Sequence, residues 1–216
     1  MKSVLLISIT LTWHLFVSGQ KTIIGFHAGF NYAFSKGGMP DGAKVGYIPG
    51  IAAGILIDKK IGAKVSLQPA LNFIQKGAKE EGSGSAFFYD YKSKIRLNYI
   101  ELPFNFLYRA PGGFFAGGGP VLSLALSGSY YYQYTNENGE VIVEDRKVKF
   151  YDLIEIMGSS DGDAERYEAG INVMTGITFK NNLFISANFN YGLTHSINNT
   201  NSLYLGVRIG YMFKEN

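Results

Sequence analysis

From residue 20 onward apolar residues recur at every second position, and helical spacing fails almost throughout. The clearest segment is 202–213, where Leu203, Leu205, Val207, Ile209, Tyr211 and Phe213 share one face. Tyr204, Gly206, Arg208, Gly210 and Met212 share the other. The same alternation marks seven more segments, at about 24–34, 47–57, 63–73, 95–108, 114–134, 167–179 and 183–192. Each is long enough for the roughly 9–11 residues of a tilted membrane-crossing strand. The pattern predicts eight strands.

The connections between them alternate in length. Asp58-Lys59-Lys60, Arg109 to Gly113 and Lys180-Asn181-Asn182 are short, whereas about 35–45, 76–94 and 135–165 are long and 193–201 is intermediate. Short turns on one rim and long loops on the other are the pattern of an antiparallel up-and-down transmembrane β-barrel, with periplasmic turns and extracellular loops. The third long loop carries a hairpin signal of its own. Tyr130 to Tyr134 leads into Asn136-Glu137-Asn138-Gly139 and out through Glu140 to Val143, so the fifth strand is expected to continue beyond the membrane.

Composition decides which face meets lipid. The second face is small or amide-bearing: Gly25, Gly29, Gly54, Gly170, Gly206 and Gly210, with Asn31, Asn72, Asn105, Asn172, Asn188 and Asn190. A water-facing surface would be dominated by Lys and Glu, yet only 17% of the 216 residues are charged while 46% are hydrophobic. Small residues and amides suit the interior of a barrel that eight strands leave just wide enough for side chains. A soluble ligand-binding barrel of the lipocalin type is the alternative, with the apolar set turned inward. The absence of Cys excludes a disulfide scaffold or thiolate metal site, and a net charge of +3 is too small to imply nucleic acid.

Residues 1–19 read as a secretory signal peptide. Lys2 precedes an uncharged apolar stretch from Val4 to Val17, and Val17-Ser18-Gly19 offers a small residue for cleavage before Gln20. An uncleaved anchor is the rival reading, but the stretch is shorter than the roughly 20 residues that span a bilayer. The expected organisation is therefore a signal peptide at 1–19 and a barrel domain at 20–216, in the outer membrane of a Gram-negative bacterium.

Several segments resemble the PorT-like outer-membrane β-barrel family. Gly25-Phe26-His27-Ala28-Gly29-Phe30-Asn31 is similar to its opening strand. Leu67-Gln68-Pro69-Ala70-Leu71 with Gln75-Lys76-Gly77-Ala78 resembles its third strand and loop entry. The most specific element is Leu97-Asn98-Tyr99-Ile100-Glu101-Leu102-Pro103, similar to the family's tyrosine, glutamate and proline strand. Gly117-Gly118-Gly119-Pro120, Tyr191-Gly192-Leu193-Thr194 and Gly206 to Phe213 resemble later strands. The chain departs from the family at Ala70, where a glutamate is common, and at Asn188, where an arginine is common. The resemblance implies an eight-stranded outer-membrane barrel and, for some members, a role in protein secretion.

On this register Lys64, Glu101, Glu168 and Arg208 point inward. Charges in a narrow low-dielectric lumen must be paired or hydrogen-bonded, so they are expected to form a structural network that plugs the barrel; a proton or ion path is the functional alternative. His27 faces the lumen with Asn31, and His195 lies in a loop. No serine, histidine and acid arrangement sits at a rim, and Asp161-Gly162-Asp163 lacks the calcium-loop pattern. No enzymatic activity, cofactor or metal is expected. Two aromatic groups, Phe87, Phe88, Tyr89 and Tyr91, then Tyr130, Tyr131, Tyr132 and Tyr134, offer an interaction surface. The expected partners are membrane lipid and either an extracellular ligand or secretion-machinery proteins, for a monomeric barrel.

Overall fold

The computed structural model describes residues 22–36, 44–85, 88–136, 138–149, 166–194 and 201–213. Ten strands run in chain order: β1 (Thr22–Lys36), β2 (Lys44–Gly46), β3 (Ile48–Lys60), β4 (Val65–Ser85), β5 (Phe88–Arg109), β6 (Phe114–Thr135), β7 (Val141–Lys149), β8 (Tyr167–Thr178), β9 (Leu183–Gly192) and β10 (Asn201–Met212). Eight of them close a ring in the order β1-β3-β4-β5-β6-β8-β9-β10, every pairing antiparallel. The last strand returns to the first, from Gly25 opposite Met212 to Lys36 opposite Asn201. Closure leaves no membrane-level edge with unpaired backbone groups, which hydrocarbon would not tolerate. The expected eight-stranded up-and-down barrel is the fold found.

Period two explains both surfaces. Phe30, Leu205, Val207 and Ile209 lie outside the ring, at 71%, 59%, 56% and 59% exposure. Their neighbours Asn31, Tyr204 and Arg208 are buried inside it. A soluble barrel would need Leu203, Leu205 and Val207 to line a cavity; they line the outside, which excludes that alternative. The outer face is an apolar band, and the core is the lumen itself.

Three short turns define one rim. Ile61 N donates to Val65 O at 3.0 Å in the first, and Gly112 and Gly113 adopt φ of 88° and 91° in the second. Asn182 takes φ of 66° in the third. These left-handed angles suit glycine and asparagine, which turn the chain without steric cost.

The opposite rim differs from expectation. The stretch 76–94 does not form an irregular loop, because β4 and β5 stay paired from Val65–Tyr108 as far as Ser85–Phe88. The continuation pairs Lys79 with Lys94, Glu80 with Ser93 and Glu81 with Lys92. Such pairs alternate without an apolar face, so hydrophobic periodicity does not mark them as strand. β2 and β7 also lie outside the ring, on β4 and β6. The hairpin expected at 136–139 is present: Asn136 Oδ1 accepts from the backbone N–H of Asn138 at 3.0 Å and of Glu140 at 2.8 Å.

Two apolar clusters fill the lumen's ends. Leu56, Leu107, Phe115, Met174, Phe184 and Met212 pack near the short-turn rim. Ile48, Ile74, Leu97, Tyr99 and Tyr204 pack in the other half, with Ala33, Ala52 and Ala125. The inward glycines are complementary to these rings. A Cβ at Gly176 would meet the Phe115 ring, and one at Gly210 the Phe184 ring, so each phenyl occupies space that a side chain there would need.

Candidate functional site

Lys76 projects from β4 into the lumen and meets two carboxylates from other strands. Its Nζ lies 2.7 Å from Glu101 Oε1 on β5 and 3.0 Å from Glu168 Oε1 on β8. Ser123 Oγ on β6 donates to Glu101 Oε1 at 3.1 Å, and Ser202 Oγ on β10 donates to Glu168 Oε1 at 2.6 Å. Tyr204 OH donates to Glu101 Oε2 at 3.0 Å and accepts from Arg208 Nη2 at 3.2 Å. The Tyr99 and Tyr204 rings lie 4.7 and 5.5 Å from the ammonium. Relative exposures of 2%, 0%, 3% and 6% for Lys76, Glu101, Glu168 and Arg208 show the four charges withdrawn from water. Two cations face two carboxylates, so the network is balanced. Lys76 has both carboxylates as partners and Arg208 is linked to Glu101 through the Tyr204 hydroxyl, while Glu168 Oε2 is buried without a hydrogen bond.

Glu101, Glu168 and Arg208 thus stand where the alternation puts them. Lys64 does not. It is exposed in the β3–β4 turn, where its carbonyl accepts from Arg109 N at 2.8 Å. β4 begins only at Val65, so the inward series runs Ser66, Gln68, Asn72, Ile74, Lys76. Extending the alternation beyond Phe73 would have found Lys76, which took Lys64's expected place.

A second ion pair, also missed, closes the short-turn rim. Arg109 at the end of β5 pairs with Asp58 at the end of β3. Gln68 Nε2 donates to Asp58 Oδ2 at 3.1 Å, and Arg109 Nε donates to Ser66 Oγ at 3.0 Å. Asp58 belongs to the lumen rather than to the exposed turn the sequence suggests. Further inside, amides bond across the barrel: Asn172 Nδ2 donates to Asn105 Oδ1 at 2.9 Å, and His27 Nε2 lies 3.0 Å from Asn72 Oδ1. Ala70 packs beside the rim cluster, and Asn188 Nδ2 donates to Ser186 Oγ at 3.1 Å. Neither position carries the charge common among the relatives the sequence resembles.

The aromatic residues separate by strand face. Tyr91, Tyr130, Tyr132 and Tyr134 stack in one ladder, with ring centroids 6.3 Å apart for Tyr91–Tyr132, 6.0 Å for Tyr130–Tyr132 and 5.6 Å for Tyr132–Tyr134. Tyr130 also packs against the lumenal cluster, so the ladder continues the barrel's inner wall. Burial, reinforced by Tyr132, Glu144 and Glu80, pushes the Tyr130 phenol up to about 12. Tyr131 lies on the opposite face, where its hydroxyl donates to Gln133 at 2.7 Å. Phe87 is outside the described residues. Phe88 and Tyr89 lie in β5, and the Asp161–Asp163 run and His195 also lie outside the described residues.

Among the described residues no group of three or more His, Asp or Glu side chains is arranged to hold a metal. The lumen holds ion pairs and cross-barrel hydrogen bonds, with the Asn190 amide and Glu168 Oε2 buried without partners, and the barrel's apolar outside requires lipid around it. The protein is a membrane-embedded β-barrel of the bacterial outer-membrane type. It belongs to the outer membrane protein beta-barrel domain family, whose model matches residues 19–198.

Among solved structures, the chain is similar to the attachment invasion locus protein Ail of Yersinia pestis, at 11% identity over 89% of this chain and 99% of that one, TM-score 0.43. It is similar to neisserial surface protein A at 13% identity, covering 88% and 97%, TM-score 0.42. The Escherichia coli outer membrane protease OmpT matches at 10% identity, covering 89% and 96%, TM-score 0.35. No curated protein matches the chain.

Proposed function

We propose that this protein is a monomeric, non-enzymatic barrel with a closed lumen, which holds long β-hairpins on the cell surface as a binding platform. The supporting observation is the buried network around Lys76. Lys76 pairs with both carboxylates, Arg208 joins Glu101 through the Tyr204 hydroxyl, and the rings of Tyr99 and Tyr204 cover the ammonium, so bonded side chains rather than an open charged path occupy the lumen at this level. Ring closure leaves no membrane-level edge that requires a second subunit. In this reading residues 1–19 direct export and are removed before Gln20. The short-turn rim then faces the periplasm, and the β4–β5 and β6–β7 hairpins face outward.

Within the family, a PorT-like assignment is favoured by the Leu97–Pro103 strand, because its Tyr99 and Glu101 are the residues that contact Lys76. That resemblance supports a second reading, a barrel subunit of a protein-secretion machine. A pull-down from detergent extract that recovers stoichiometric partners would favour it over the solitary barrel.

The native chain has no cysteine, so single cysteines report orientation cleanly. Asn138→Cys, in the β6–β7 turn, is expected to react with a membrane-impermeant maleimide on intact cells. Asn181→Cys, in the β8–β9 turn, is expected to react only after lysis. Labelling of Asn181→Cys on intact cells, with Asn138→Cys silent, would reject the surface platform.

A further inference from the structure

On the outer face, the apolar band ends at one level on three neighbouring strands. Above Phe73, Ile100 and Leu126 come Gln75, Asn98 and Ser127, which are register partners. They form a bonded rung: Gln75 Nε2 donates to Asn98 Oδ1 at 3.0 Å, and Asn98 Nδ2 donates to Ser127 Oγ at 2.9 Å. Side chains that satisfy one another are what the upper boundary of hydrocarbon demands, since lipid tails offer them no partner. The next outward row is cationic. Arg96 stands opposite Ser129, and Ser129 opposite Lys147 of β7. That row lies two residues further along the strands, about 7 Å above the rung, at headgroup depth.

Gln75, Asn98, Ser127, Ser129, Arg96 and Lys147 enclose a recess of about 440 Å³. Arg96 is tethered there. Its Nη2 donates to the Pro49 carbonyl at 3.2 Å, reaching across Gly77, its register partner, where no side chain obstructs the guanidinium. Its Nε is buried and unpartnered, and neither Arg96 nor Lys147 forms an ion pair among the described residues. The row above holds Lys79 and Lys94 against Asp145, so the surroundings stay net positive. A tethered guanidinium with an unpartnered N–H, an exposed ammonium two strands along the same row, and hydroxyl and amide groups below match a tetrahedral dianion.

We propose that this recess binds the phosphate monoester of an outer-leaflet lipid headgroup, with Arg96 and Lys147 supplying the charge and Ser127, Ser129 and Asn98 the neutral hydrogen bonds. The acyl chains then lie on the apolar band directly beneath. The site requires the outward orientation of the β4–β5 and β6–β7 hairpins, but neither a closed lumen nor a protein partner.

The test is native mass spectrometry of the protein released from phosphatidylcholine nanodiscs doped with phosphatidic acid, which carries a phosphate monoester. Wild type is expected to retain phosphatidic acid in preference to phosphatidylcholine. Arg96→Gln/Lys147→Gln should lower that retention roughly tenfold or more, since each cation near a membrane surface contributes measurably to anion binding. Lys180→Gln, at the other rim, should leave it unchanged. Lys147→Glu keeps the Arg96 tether, and it should lose retention with its barrel intact by heat-modifiable electrophoretic mobility. Equal retention of both lipids by wild type, or wild-type retention by the two Lys147 variants, would overturn the proposal. Release of phosphatidic acid by equimolar inorganic phosphate would also overturn it, by identifying free phosphate as the ligand.

Discussion

Lys76 is held by partners from four other strands: Glu101 on β5, Ser123 on β6, Glu168 on β8, and the Tyr204 ring on β10. Removing its charge while both carboxylates stay buried leaves them facing each other unpaired. Lys76→Met is therefore expected to destabilise the barrel by about 3–5 kcal/mol, the usual cost of breaking a buried ion pair from one side. Urea unfolding from lipid vesicles measures this. Adding Glu168→Gln should restore much of the loss, because Arg208 then balances the one remaining carboxylate, Glu101, which it reaches through the Tyr204 hydroxyl. If the double variant is weaker than Lys76→Met, charge balance is not what holds the network together. Three of the four expected lumenal charges were legible because Glu101, Glu168 and Arg208 sit inside strongly alternating strands. The fourth was misplaced. A lysine on either side of the apolar alternation at 65–73 reads alike in sequence, and only the turn geometry that exposes Lys64 and the continued pairing that carries Lys76 inward distinguish them.

Among the elements, β10 shows the division between lipid and lumen most sharply, with Leu205 exposed and its neighbours Tyr204 and Gly206 facing inward. Leu205→Arg places a guanidinium against hydrocarbon near mid-strand, and the expected cost in vesicle refolding is about 2–4 kcal/mol. Asn190→Ser, inside β9, should be nearly silent by the same measurement, because it exchanges one small polar group for another in the lumen. Equal effects would mean the faces are reversed. Membrane-level strands were readable because lipid requires an unbroken apolar stripe on every one. Their extensions were not. Above the bilayer both faces of β4 and β5 meet water or other polar groups, so Glu80, Glu81, Lys92 and Lys94 carry no hydrophobic period although the backbone pairing is continuous. β2, three residues long, pairs with that extension and leaves still less of a trace.

For the whole molecule, the proposed role rests on the lumen. Apolar clusters occupy both halves, the Asp58–Arg109 pair closes the short-turn rim, and the Lys76 network and tyrosine ladder extend towards the other. On the proposed reading such a barrel anchors its hairpins, and they rather than the interior are where a partner would meet it. The composition already contained this architecture: abundant glycine and amides with few charges describe a crowded interior, and alternating apolar residues describe a lipid exterior. It did not contain the cross-barrel contacts, which join residues as far apart as Glu101 and Tyr204 and depend on ring closure. The central claim is that the lumen is closed, and single-channel recording in a planar bilayer tests it most directly. The wild-type protein is expected to give current indistinguishable from the protein-free bilayer at every applied voltage. Reproducible conductance steps from the folded wild-type barrel would contradict it.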